Sequence, residues 1–197
     1  MLNGPILDYG VGWGRLSRLL LKYVDVDHIH GVDSWQRSLE LAHSCRISHR
    51  LDQVSTRLAP NDLKANHYAA IYSFSVFTHL APEAFMHNLM ALSAATRPGG
   101  RLVVTARPAE FWSMPGYAHL DDARVAITRE QGIVHIPAVD AIDYGDTAVS
   151  SEWMFDAMSA CGLAEVDIEW NHADAYQVIW SARKSGRAPS CRRLVLR

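Results

Sequence analysis

The most restrictive stretch of this chain comes almost at once: Ile6-Leu7-Asp8-Tyr9-Gly10-Val11-Gly12-Trp13-Gly14-Arg15-Leu16-Ser17-Arg18. A short apolar run breaks into three glycines at alternate positions, with an acid two residues ahead of the first, and then gives way to a helical pattern. Glycine lets the backbone turn sharply and lets a ligand approach closely, while the free amides at a helix start favour a negative group. A strand, a glycine turn and a helix in that order commit the start of the chain to an α/β architecture with a site at the turn.

The rest of the first half keeps the alternation. Strand-length runs are expected at Pro5 to Tyr9, His28 to Val32, Ala69 to Ser75 and Arg101 to Ala106, with a weaker one near Gln53 to Leu58. Spaced apolar positions predict helices over Arg15 to Lys22, Trp35 to Cys45 and Pro82 to Ala95, and the Thr96 to Gly100 stretch TRPGG reads as a helix stop and turn. From Arg107 to about Val149 the apolar residues keep neither period, so a lid-like insertion is expected there. Ser150 or Ser151 can cap a helix to Ala160 closed by Gly162, followed by strands at Ala164 to Trp170 and Ala175 to Ala182. The gap between those strands suits a hairpin and is too short for a helical crossover. At 197 residues a single domain over 1–183 is expected, with 184–197 a basic tail.

Asp33 ends the second strand about 20 residues beyond the turn, where a carboxylate can accept hydrogen bonds from ribose hydroxyls. It could equally cap the helix beginning near Trp35. The dinucleotide fingerprint G-x-G-x-x-G needs a third glycine where this chain has Arg15; the spacing here is G-x-G-x-G, which counts against NAD or FAD. A formal net charge of -2 argues against nucleic acid as the main partner. Cys45, Cys161 and Cys191 form no metal-binding or disulfide pattern. No signal peptide or apolar run near ~20 residues is visible, so a cytoplasmic protein with no membrane partner is expected.

Taken together, Asp8-x-Gly10-x-Gly12-x-Gly14, Asp33, the Tyr72 to Leu80 stretch YSFSVFTHL and the Arg97 to Val104 stretch RPGGRLVV resemble the class I S-adenosylmethionine-dependent methyltransferases, closest to those acting on small molecules. The resemblance runs through nearly the whole chain. It implies a Rossmann-like, doubly wound, mostly parallel seven-stranded sheet with an antiparallel last strand, and S-adenosyl-L-methionine as cofactor. On this resemblance Gly10, Gly12 and Gly14 approach the methionine part and Asp8 orients its ammonium. Asp33 binds the ribose, Asn61 belongs to the loop closing over the adenine, and Ser75 faces the methionine end; Ser34 and Trp35, next to Asp33, lie close enough to flank the adenine, although an indole on a helix is more often part of a core.

Methyl transfer from a sulfonium needs chiefly alignment and desolvation, although an oxygen nucleophile can also need a base. His79, just past the fourth strand, is the candidate base, and the alternative is that it orders its loop. His119, His135, Asp140, Asp143 and Tyr144 lie in the expected lid. Asp140 with Asp143, and His28 with His30, lack further ligands, so no metal site is assigned. Arg15 stands where the helix dipole disfavours a cation; a carboxylate of cofactor or substrate would explain it, and so would an ordinary surface position. Only Met1 to Gly4 precede the first strand, where the family carries a covering segment; a minimal form, a fragment or a partner subunit would each account for that, and a homodimer is equally open. A nicotinamide-dependent oxidoreductase and a catalytically degenerate methyltransferase-like binding module are the rival readings. A nucleic-acid methyltransferase lacks its Asp or Asn, Pro-Pro, aromatic signature near Ser73 to Phe77.

Overall fold

The computed structural model describes residues 4–47, 49–114, 121–139, 141–170 and 176–186. His119, Asp140, Cys191 and the basic residues beyond Gly186 lie outside them. The first strand, β1 (Ile6–Tyr9), is buried along its whole length between β2 (Ile29–Asp33) and β4 (Tyr68–Ser73), parallel to both. Burial on both faces explains why it reads as a continuous apolar run rather than an alternating one. β3 (Arg50–Gln53) adds outside β2, and β5 (Thr96–Pro108) pairs beside β4, all parallel. Two closing strands, β8 (Leu163–Trp170) and β9 (Val178–Lys184), form an antiparallel pair, and β9 runs antiparallel to β5. The main sheet is therefore ordered β3-β2-β1-β4-β5-β9-β8. A nicotinamide-dependent oxidoreductase would ordinarily carry a parallel strand at that place, so the antiparallel β9 counts against that rival reading.

Helices cover the sheet. α2 (Gln36–Ser44) and α3 (Pro82–Ala95) carry Leu39 and Ala42, and Phe85, Leu89 and Leu92, into the core. Pro82 sits in the first turn of α3, where its missing N–H costs nothing. The helix expected after the glycine turn is shorter than its pattern implies: α1 is Ser17–Leu20, flanked by turns. β3 ends where the weak strand was expected to begin. Val54 and Leu58 are buried from a loop tied to α3: Asn88 accepts from the Leu58 amide at 2.9 Å and donates to the Thr56 carbonyl at 2.8 Å. Lys184, expected to open the tail, is the buried last residue of β9, with Nζ donating to Ser93 Oγ at 2.8 Å.

The segment expected as an irregular lid is folded. A 3-10 turn at Ala109–Ser113, then α4 (Asp121–Gln131), β6 (Ile133–Ala138) and β7 (Ala141–Val149) make a unit with its own apolar cluster of Ala109, Phe111, Trp112, Val125 and Ala148. Trp112 Nε1 donates to Thr128 Oγ1 at 2.9 Å, which satisfies the one polar atom of a fully buried indole. The β6-β7 hairpin extends the carboxyl end of β5 through Arg107 opposite Ala148 and Pro108 opposite Val149. α5 (Ser151–Ala160) follows, capped by Ser150, whose Oγ accepts from the Trp153 amide at 3.2 Å, and closed by Gly162 at φ +74°. No helix among the described residues is long and apolar enough to cross a membrane.

Candidate active site

Parallel sheets carry their sites beyond the carboxyl ends of the strands, where the order reverses. Here that point lies between β1 and β4, and a cavity of about 640 Å³ opens there. Its lining includes Tyr9, Gly10, Asp33, Ser34, Trp35, Ser38, Thr56, Phe74, Ser75, Val76, Leu80, Ala141, Asp143 and Tyr144. Gly10, Asp33, Ser34, Trp35 and Ser75, from widely separated motifs, thus line one cavity.

The three glycines do different work. A Cβ on Gly10 would meet Val76 Cγ2 at 2.2 Å and one on Gly14 would meet Ile47 Cδ1 at 2.6 Å, so those two serve packing. Gly12 has nothing within 4 Å and φ +55°, which leaves space for a ligand against bare backbone. Its amide donates to Asp33 Oδ2 at 2.8 Å, and the Trp35 amide donates to Oδ1 at 2.9 Å. Asp33 therefore locks the glycine turn to the start of α2 while its remaining lone pairs face the cavity, and the ribose and capping alternatives are compatible.

Asp8 is 3% exposed and lies beneath the turn rather than on the cavity lining. Burial pushes its carboxyl up to about 7, against the favourable hydrogen bond from Tyr72 Oη at 2.5 Å, and the nearby Asp33 adds to the rise. Ser75 holds φ +61°, an uncommon backbone state for a residue with a side chain. Its amide donates to Thr105 Oγ1 at 2.8 Å, and Gln177 Nε2 donates to its hydroxyl at 3.4 Å.

Asn61 does not join this site. It lines a separate cavity at the amino edge of the sheet with His30, Arg50, His67 and Tyr68, while the adjacent Asp62 turns its carboxylate to the Ala59 amide at 2.8 Å. Thr56, three residues past β3, occupies the place expected of Asn61; a loop threonine gave no signal of its own. His28 stands in a 3-10 turn and His30 is committed to Tyr68 Oη at 2.5 Å and Asp52 at 2.9 Å. Arg15 is exposed, its guanidinium 6.0 Å from the ring centre of Phe74.

His79 stands just behind the cavity. Its Nδ1 lies 2.7 Å from the Gly145 carbonyl oxygen, and its ring stacks on Tyr144 at 4.9 Å and 13°. Burial holds the imidazole pKa below its usual range. Tyr144 in turn faces Trp35, 58% exposed at the rim, with ring centres 5.7 Å apart. Asp143 is gripped by Arg57 through two hydrogen bonds of 2.6 and 3.1 Å, and Arg107 pairs with Asp146 while donating to the Thr78 carbonyl at 3.1 Å.

Residues 6–100, the stretch that builds the glycine turn, Asp33 and β4, match a family model described as a methyltransferase domain. Over that stretch, just under half of the chain, the sequence is similar to methyltransferase domains. Solved methyltransferase structures share the fold. One from Methanosarcina mazei, an S-adenosylmethionine-dependent methyltransferase, is 15% identical with a TM-score of 0.65, covering 94% of each chain. One from Mesorhizobium loti, also S-adenosylmethionine dependent, is 11% identical with a TM-score of 0.65, covering 91% of this chain and 90% of that one. The 1,6-didemethyltoxoflavin-N1-methyltransferase of Burkholderia thailandensis, solved with 1,6-didemethyltoxoflavin and S-adenosylhomocysteine, is 16% identical with a TM-score of 0.64, over 92% and 71%. No curated protein matches the chain in sequence. The family's cofactor is S-adenosylmethionine, and the open backbone at Gly12 beside the Asp33 carboxylate suits a nucleoside bearing an amino acid.

Proposed function

We propose that this methyltransferase acts on a small molecule at oxygen or nitrogen, and that Gly12, Asp33, Ser34, Trp35 and Ser75 hold its cofactor, with Gly10 and Gly14 shaping the turn. The observation that carries this reading is the cavity itself: its volume of about 640 Å³ lies within the range of small-ligand sites and is roofed by a hairpin from the same chain. Such a roof suits a compact acceptor. A 1–183 domain with a 184–197 tail remains our reading of the chain's organisation, with Lys184 reassigned to β9.

When bound, S-adenosylmethionine would supply an electrophilic methyl carbon for an acceptor lone pair, with the electrons of the carbon-sulfur bond returning to sulfur. The protein's part is placement. Asp33 accepts from the ribose hydroxyls, Gly12 permits close approach of the amino-acid end, and Asp8 beneath the turn supplies negative charge toward its ammonium. Phe74, Val76 and Leu80 keep water from the reacting end. His79, the base expected from the sequence, stands behind Tyr144, so the acceptor's proton would leave to solvent or to a group on the acceptor.

Calorimetry with S-adenosylmethionine, S-adenosylhomocysteine and NAD, for wild type and Asp33→Ala, tests the cofactor assignment. We expect adenosyl ligands to bind and Asp33→Ala to weaken them; preferential NAD binding, or indifference to Asp33, overturns it. Formation of S-adenosylhomocysteine across a panel of small oxygen and nitrogen acceptors tests the acceptor class, and turnover only on nucleic acid or protein refutes it.

A further inference from the structure

The cavity at the amino edge of the sheet has a chemistry of its own. It has a volume of about 470 Å³, and its polar lining comes from four pieces of chain: His30 on β2, Arg50 opening β3, Asn61 and Lys64 in the loop between β3 and β4, and His67 and Tyr68 entering β4. Asp62, the acid on that lining, commits Oδ2 to the Ala59 and Ser55 amides at 2.8 and 3.3 Å. The nearby Asp52 is taken by Arg50 at 2.5 Å and by His30 Nε2 at 2.9 Å. A ring nitrogen bonded to a carboxylate carries the hydrogen, so the neutral His30 accepts at Nδ1 from the Tyr68 hydroxyl, 2.5 Å away.

His67 and Lys64 are arranged differently. Among the described residues, neither the His67 imidazole nor the Lys64 ammonium has a hydrogen-bond or ion-pair partner; the His67 ring merely stands edge-on to Tyr68 with ring centres 4.9 Å apart. Burial, and then Lys64 and Arg50, hold the His67 imidazole below its usual pKa. Burial, Arg50 and His67 act in the same direction on His30, against the attraction of Asp52. Basic groups thus crowd one concavity from separate elements, and the two carboxylates within reach are already engaged.

We propose that this concavity binds the phosphate group of a small molecule, held by Arg50, Lys64 and His67, at a site separate from the cofactor cavity. A guanidinium fork, a point ammonium and an imidazole from three places along the chain offer donors from different directions, which suits a tetrahedral oxyanion better than a flat carboxylate. The rest of the volume, beside the Asn61 amide, admits a polar body attached to the phosphate. Binding carries a proton with it: the arriving negative charge offsets the repulsion on His67 and favours its charged form. A proton gained by His30 would likewise turn Nδ1 into a donor to Tyr68 and free the phenolic hydrogen for the ligand.

The test follows the pH titration of the His67 ring by NMR in the whole chain, the signal being assigned with His67→Gln. Sulfate, inorganic phosphate, ribose 5-phosphate and acetate are each compared with sodium chloride at equal ionic strength. Sulfate keeps its charge across the titration, so a shift it causes belongs to the protein. We expect sulfate to raise the His67 midpoint saturably by about one pH unit, the effect of an opposite charge in contact. Ribose 5-phosphate should bind roughly tenfold more tightly than inorganic phosphate, through hydrogen bonds to its hydroxyls. Lys64→Gln, at an exposed position, should weaken every oxyanion roughly tenfold and leave S-adenosylhomocysteine affinity at the other cavity unchanged. A shift no larger than chloride produces is screening alone and overturns the site. Acetate as effective as sulfate, or ribose 5-phosphate no tighter than inorganic phosphate, overturns the ligand class, and unchanged affinity in Lys64→Gln overturns the residues named. None of these outcomes bears on the cofactor assignment.

Discussion

Replacing Asp8 with asparagine keeps the shape of the side chain and an acceptor for the Tyr72 hydroxyl, and removes a buried group that titrates. In the folded protein the Asp8 carboxyl is pushed up from 3.8 to about 7 by its burial. Between those values the folded state holds a proton that the unfolded chain has released, so unfolding free energy falls as pH rises, and above about 7 the loss is complete. At about 1.36 kcal/mol per pKa unit the full penalty is about 4 kcal/mol, of which about 3 kcal/mol accrues between pH 4.5 and pH 8.5. Asp8→Asn carries no such slope. Urea titrations of both proteins across that range should therefore show the variant gaining on the wild type by about 3 kcal/mol from the acid end to the alkaline end, other carboxylates cancelling in the difference. Binding adds a second readout: a cofactor ammonium drawing on Asp8 favours the carboxylate, so S-adenosylhomocysteine binding near pH 7 should release roughly half a proton in the wild type and none in Asp8→Asn. Calorimetry in buffers of different ionisation enthalpy measures it. A variant-minus-wild-type difference that stays flat with pH refutes the buried-acid argument, and equal proton release in the two proteins refutes the link to the ammonium.

The glycine turn predicts a contrast: Gly10→Ala, with its Cβ 2.2 Å from Val76, should lower the melting temperature markedly, whereas Gly12→Ala should cost only about 1–2 kcal/mol of backbone strain, yet lose cofactor affinity in calorimetry. Asp33→Ala should weaken S-adenosylhomocysteine binding about 10- to 100-fold, the range for hydrogen bonds to a charged group, in the same assay. Lys184→Met should match or exceed wild-type stability at pH 7, because burial holds that amine below its usual pKa. The sign follows: wild-type stability should rise through the alkaline range toward 10.5 as the unfolded chain holds the extra proton, and the variant, followed by thermal unfolding, should lack that rise. Trp112→Ala should open the insertion before the sheet, about 3–5 kcal/mol being lost from a separate cluster, with proteolytic cuts between Ala109 and Val149 appearing while β1 to β5 stay protected.

What the sequence disclosed follows from what kind of signal each part carries. β1, β2 and β4 lie inside a parallel sheet and are apolar on both faces, so their runs stand out, and the turn chemistry at Gly10 to Gly14 and Asp33 is local in sequence. Each of these could be read because a few adjacent residues determine it. The insertion could not, since its cluster is assembled from Phe111, Val125 and Ala148, separated by a dozen residues or more, and β6 shows no clean alternation of exposure. Asn61 was misplaced for a related reason: the loop after β3 is steered by Asn88 on α3, a contact no local pattern announces. His79 stands behind the cavity wall, and only the Gly145 carbonyl and the Tyr144 ring reveal which way it is turned.

The length of β5 connects these halves. Its first residues pair with β4 and β9 in the main sheet, and its last two, Arg107 and Pro108, pair with β7 of the insertion. A rigid strand thus fixes the hairpin relative to the wall that carries Ser75, with Arg107 bridging directly from the Thr78 carbonyl to Asp146. Tyr144 lies two residues before Asp146 on that same hairpin strand. The roof is therefore anchored at three points: the β5 pairing, the Arg107 bridge and the loop containing His79. A roof held this way cannot swing freely on a hinge between Pro108 and Ala141, because any opening must break backbone pairs at Gly145, Thr147 and Ala148 together.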